Sequence, residues 1–185
     1  MQIFHAENKT TDNKKEFISK QIVNYLRDLY NSIKNMVPNQ SEPIPPCKLS
    51  AEEFLPKCIS FLNQIGIETR FEKLDEFCFL PGLSIRNGTV IIDTALLKYP
   101  GDILHEAGHI AVVSAAERPT LTASAIEKRE SREAEEMMAI AWSYAACIHL
   151  ELNPYIVFHD EGYNGGGSYI AECFNNKKYF GVPML

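Results

Sequence analysis

Apolar residues recur with helical spacing over four stretches of the chain and alternate over shorter ones. From about Asn13 to Val37 they fall at Phe17, Ile18, Ile22, Tyr25, Leu26, Leu29, Ile33 and Met36. That stripe predicts a helix, stopped by Pro38. Residues 38–48 contain four prolines and read as an extended linker. Ser50, with Glu53 three residues on, forms a capping box for a second helix running to about Ile65, where Gly66 supplies a stop. Ile67 to Phe71 and Phe77 to Leu80 suggest strands. The clearest β pattern is Leu83-Ser84-Ile85-Arg86, Asn87-Gly88, Thr89-Val90-Ile91-Ile92, a hairpin with an Asn-Gly turn.

After Pro100-Gly101, Asp102 is suited to cap a helix reaching about Ala116, with Pro119 beyond its end. A long helix follows, opening near Ser124 or Ser131 and closing at Asn153-Pro154. A glycine-rich loop, Gly162 to Ser168, precedes a short apolar segment from Tyr169 to Phe174. The order of helix, helix, small antiparallel sheet, helix, helix predicts an α+β domain with helices packed on one face of a short sheet. Residues 1–48 form an N-terminal helix and linker, and residues 49–185 the body of what reads as one compact domain.

Composition narrows the function. At 185 residues, 45% hydrophobic and 23% charged, the chain has an ordinary globular make-up. A net charge of −6 and the lack of a basic stripe argue against nucleic acid as partner. No apolar run approaches the ~20 residues of a membrane span, and the first residues lack the apolar core of a signal peptide. The five cysteines, Cys47, Cys58, Cys78, Cys147 and Cys173, contain no Cys-x-x-Cys pair, which argues for free thiols rather than a disulfide framework or thiolate metal site. A cytoplasmic protein is expected.

The chemistry concentrates in His105-Glu106-Ala107-Gly108-His109. Two histidines four apart on a helix project from one face and can reach one ion at ~2.0–2.1 Å. Glu106, turned ~100° from His105, lies beside the metal, where it can take a proton from an activated water and pass it to a leaving group. Gly108 permits close approach by another element. A catalytic zinc needs a third protein ligand. No later histidine continues the motif, and His149 falls on the far side of its helix. The acids of the following helix, Glu127, Glu130, Glu133, Glu135 and Glu136, are the candidates. Glu127 reads as a cap. With Met137, Ala141, Tyr144 and Ile148 as the core face, Glu135 points to solvent, Glu133 lies at the edge of that face, and Glu136 lies further round on the same side. A carboxylate beside an apolar run needs a partner. Glu136 is the preferred ligand, with Glu133 as the alternative. The donor set also suits iron, nickel or manganese.

Together His105-Glu106-Ala107-Gly108-His109 and the later Glu136-Met137-Met138-Ala139-Ile140-Ala141 resemble the ImmA/IrrE-type metallopeptidase family of the gluzincin group. An alternative register of the second motif uses Glu133-Ala134. The resemblance covers about residues 50–150. It implies a minimal zincin-like core of hairpin, active-site helix and glutamate helix, and a zinc-dependent peptidase acting on a peptide or protein. Its base would be Glu106 and its ligands His105, His109 and Glu136. The free edge of the hairpin would then suit an extended substrate, and His159 or Tyr163 would suit a transition-state donor. The competing expectation is a non-catalytic metal-binding regulatory or interaction domain.

Overall fold

The computed structural model describes residues 51–75 and 80–185. The expected first helix and linker, and most of the Phe77–Leu80 strand, lie outside these residues. Among the described residues the fold mixes five α-helices with one three-stranded sheet. In chain order these are α1 (Ala51–Gln64), β1 (Thr69–Phe71), β2 (Leu83–Arg86), β3 (Thr89–Ile92), α2 (Asp102–Val112), α3 (Ala123–Ile126), α4 (Arg132–His149) and α5 (Gly167–Asn175).

α1 ends where Gly66 was expected to end it. With φ +83° Gly66 takes the left-handed conformation, and the amides of Gly66 and Ile67 donate to the carbonyls of Asn63 and Leu62, the paired bonds of a Schellman stop. β2 and β3 form the predicted hairpin, Leu83 facing Ile92 and Arg86 facing Thr89. Asn87 and Gly88 both have positive φ, 52° and 73°, as the tight turn requires.

The sheet is mixed rather than antiparallel. β3 lies in the middle, antiparallel to β2 and parallel to β1. Alternation along a strand reports which face is buried, but not the direction of its neighbour. Having neighbours on both sides, β3 is buried throughout, whereas β2 alternates.

α2 and α4 make the central packing contact. Their faces carry the fully buried Ile103, Leu104 and Trp142, joined by Phe54 and Leu62 from α1 and by Ile85 and Ile92 from the sheet. Trp142 stacks near Phe61 at 6.1 Å. Its Nε1–H has no acceptor among the described residues, a cost of ~1–3 kcal/mol that burial of so large a ring offsets. Gly108 is the point of closest approach. A Cβ there would lie 2.9 Å from the Ala139 carbonyl oxygen and 3.2 Å from both Ala139 Cα and Ser143 Oγ. Ser143 Oγ donates to the carbonyl of Ala139, 2.7 Å away. The expected role of Gly108 is thus met by α4. Gly108→Ala should gain ~1 kcal/mol in helix propensity but lose ~1–3 kcal/mol to overpacking against backbone. A thermal melt should show a net loss of stability; a raised melting temperature would mean that the helices separate freely.

Two boundaries differ from expectation. Asp102 does not cap α2. Gly101 holds the N-cap position without a side-chain bond, and its Cβ would meet the Ile156 carbonyl oxygen at 1.9 Å, so the chain enters the helix pressed against the 154–156 turn. α2 stops at Val112 rather than near Ala116. There the Arg118 guanidinium donates to the carbonyls of Ile110 (2.9 Å) and Ala111 (3.0 Å), satisfying the helix end. The long helix opens at Ser131, the second of its two expected starts, although Ser131 makes no capping bond; the stretch before it holds the separate short α3, which Thr122 caps by accepting from the Ala125 amide.

The expected core face of α4 is also shifted. Ala141 and Tyr144 are buried, but Met137 is 38% exposed and Glu135 is buried. Glu135 is held by Arg129 Nε and Ser131 Oγ, each at 2.6 Å. Arg129 also reaches Glu117 at 2.9 Å. Burial raises the Glu135 carboxyl pKa, but these bonds outweigh it and hold the group below its ordinary value. The network clamps the connection between α2 and α4. A partner supplied by tertiary structure is what allows this charge inside.

Candidate metal centre

α2 presents His105 and His109 one turn apart, and α4 crosses them close to its first turn. The two Nε2 atoms lie 3.2 Å from each other. Glu136 places Oε1 3.4 Å from His105 Nε2 and Oε2 3.3 Å from His109 Nε2. Three donor-capable groups from two helices thus converge on one point. Ligands at ~2.0–2.1 Å from a tetrahedrally coordinated ion are separated by about 3.3–3.4 Å. The donor set and spacing therefore fit three positions around a tetrahedrally coordinated metal ion. The structure brings Glu136 to this point and leaves Glu127, Glu130 and Glu133 exposed. His149 is exposed and packs beside Phe61.

Burial sets the protonation of the group. His105 and His109 are pulled down to a pKa of about 4, chiefly by desolvation, aided by the charges of His159 and of His105 respectively. Both imidazoles therefore stay neutral and available as ligands well below neutral pH. Glu106 is buried, and its carboxylate lies with the two histidines in one cluster spanning 4.8 Å. Desolvation, then the charges of Asp102 and Glu136, raise it to about 8. A bound cation would oppose that rise.

A second group of residues stands behind α2. Asp102 Oδ1 pairs with His159 Nε2 at 2.8 Å. The Gly162 amide donates to His159 Nδ1 at 3.0 Å, so the ring proton sits on Nε2 and is given to Asp102. Tyr99 stacks on the same ring at 3.9 Å. Tyr163 Oη lies 3.2 Å from His105 Nδ1. Of the two expected transition-state donors, His159 has both nitrogens engaged by protein. Tyr163 meets the His105 nitrogen turned away from Glu136. The Asp102–His159 pair was invisible in the sequence because 57 positions separate its members. Asp102 read there as a helix cap, a role this side chain does not perform.

The described residues also line a shallow cleft, bordered by Glu68, Asn87, Ile110, Arg118 and Pro119. None of the site residues borders it. No family model, curated protein or solved structure matches the chain.

Proposed function

We propose that the chain is a zinc-dependent peptidase with a minimal zincin-like core of the ImmA/IrrE type, binding the ion through His105, His109 and Glu136. The observation that carries this reading is the convergence of both Nε2 atoms and the Glu136 carboxylate within 3.2–3.4 Å of one another, with Glu106 on the next helical position. A purely structural site has no need of that second carboxylate.

When bound, the ion supplies Lewis acidity, lowering the pKa of water at the site towards ~7 and polarising the scissile carbonyl. Glu106 takes the proton of the attacking water as its oxygen bonds to the carbonyl carbon. It then delivers that proton to the amine nitrogen as the C–N bond breaks. β2 is an edge of the sheet, bridged by Leu80 at Leu83, and an extended peptide adds there as a further strand. The thiols of Cys58, Cys147 and Cys173 are buried, an arrangement suited to a reducing compartment, and the cytoplasm is the proposed location. Among the described residues no helix is long and apolar enough to cross a membrane.

The test is metal content together with cleavage of a mixed peptide library. About one zinc per chain, and cleavage abolished by a chelator and restored by zinc, are expected. A protein that takes up no zinc even when it is added would end the metallopeptidase reading. Stoichiometric zinc without cleavage of any peptide would leave a metal-binding interaction domain.

A further inference from the structure

We propose that Tyr163 is a positioning residue for His105, accepting the Nδ1–H of the imidazole and thereby fixing the tautomer and ring orientation in which Nε2 faces the metal. The inference rests on the metal-centre reading above and assigns a new role within it.

The argument starts from which nitrogen faces which way. His105 Nε2 converges with His109 Nε2 and Glu136. Ligation through Nε2 requires the ring proton on Nδ1. That proton needs an acceptor, because the His105 side chain is only 13% exposed. Tyr163 Oη, at 3.2 Å, is the partner present, its ring meeting the imidazole edge-on at 82°. A phenol hydroxyl carries lone pairs as well as its own proton, so it can accept here while remaining a donor elsewhere.

The loop bearing Tyr163 is built to deliver it. Its start is tied to the base of α2 through His159 and Asp102, three residues before His105. The loop then closes on itself: the Gly162 amide on His159 Nδ1, the Gly165 amide on the Asp160 carbonyl at 2.8 Å, and the Ser168 amide on Asp160 Oδ1 at 3.3 Å. Gly165, at φ +82°, makes the reversal possible. At the far end Gly167 lies so close to Phe158 that a Cβ would fall 2.4 Å from its carbonyl oxygen. The Tyr163 ring itself packs on Phe158 at 5.6 Å. The glycine-rich segment is thus a short strap, fixed to the active helix at Asp102 and at His105, rather than a free linker. Outer partners of this kind orient metal-bound histidines and raise their basicity.

Tyr163→Phe keeps the ring and its packing and removes only the hydroxyl. Zinc affinity, measured by competition with a chelator, should weaken about 10–100-fold. The melting temperature of the metal-free protein should stay close to that of the wild type. In the zinc-loaded wild type the His105 Nδ1 proton should be slow to exchange by NMR, and fast in the variant. Tyr169→Phe, at an exposed position, should change none of these readings. Unchanged zinc affinity in Tyr163→Phe beside a zinc-binding wild type overturns the role of Tyr163 and leaves the metal centre standing. A lower metal-free melting temperature with the proton equally protected also overturns it, in favour of a packing role. Failure of the wild type to take up zinc overturns the metal centre and this inference with it.

Discussion

Replacing Glu106 by Gln should reduce peptide hydrolysis by about 10²–10⁴-fold, the usual contribution of a positioned general base, while leaving zinc content unchanged. The amide matches the carboxylate in shape but cannot take a proton from water. Because His105, His109 and Glu136 are untouched, the metal stays. This pairing of results separates a catalyst from a binding domain, since a protein using the metal only to hold its shape or a partner would keep its function. Equal hydrolysis by wild type and variant would remove Glu106 from the mechanism.

The same substitution should stabilise the metal-free protein. Glu106 is buried and, mainly by desolvation, has its pKa raised to about 8 from an ordinary 4.5. A carboxyl whose folded pKa exceeds its unfolded one binds protons more tightly in the native state. Its contribution is therefore fully present below the unfolded value and is lost as pH rises towards the folded one. At pH 7 the native chain still holds a proton that the unfolded chain has released, which costs on the order of 3 kcal/mol at about 1.4 kcal/mol per pKa unit. Glu106→Gln removes the cost. Melting curves of the metal-free proteins should diverge between pH 4.5 and 8, with the variant the more stable. Parallel curves would mean that Glu106 reaches water more freely than its burial indicates. Stability sacrificed at a functional position is a familiar pattern.

Removing a ligand should have the largest effect on zinc. Structural sites bind the ion with roughly 10–16 kcal/mol, so a third of that, about 4 kcal/mol, corresponds to a thousandfold loss of affinity for each ligand removed. His109→Ala and Glu136→Ala should each show it by chelator competition, and Glu133→Ala, at an exposed position, should not. Far-UV circular dichroism of the metal-free variants should match the metal-free wild type, since His109 and Glu136 are not among the apolar side chains that form the core of α1, α2, α4 and the sheet. Zinc retained in Glu136→Ala would move the third ligand elsewhere. Zinc lost in Glu133→Ala as well would mean that the start of α4 repacks on metal binding.

Much of this site is legible along the chain because its logic is local. Helical spacing alone puts His105 and His109 on one face with Glu106 beside them. The Asn-Gly dipeptide specifies the hairpin turn, Gly66 the end of α1, and Gly108 the need for a close neighbour. Each follows from backbone geometry within a few residues. Choosing among the acids of the next helix is harder. Preference for Glu136 over Glu133 comes from a helical face assigned by apolar residues, and that face was partly misjudged at Met137 and Glu135. Glu136 nevertheless comes to lie against both histidines.

What only the tertiary structure decides involves groups far apart in the chain. The parallel pairing of β1 with β3 depends on where the chain returns after leaving the sheet, about which side-chain alternation is silent. Glu135 looks solvated until Arg129 and Ser131 fold over it. Asp102 looks like a cap until His159, 57 positions along the chain, packs beside it. Tyr163 gains meaning only when a glycine-rich loop closes tightly enough to set its hydroxyl against His105. Local sequence specifies conformations, whereas partners for buried polar groups are met only when distant segments pack together, and at this site those partners tie down the first turn of α2 and the His105 ring.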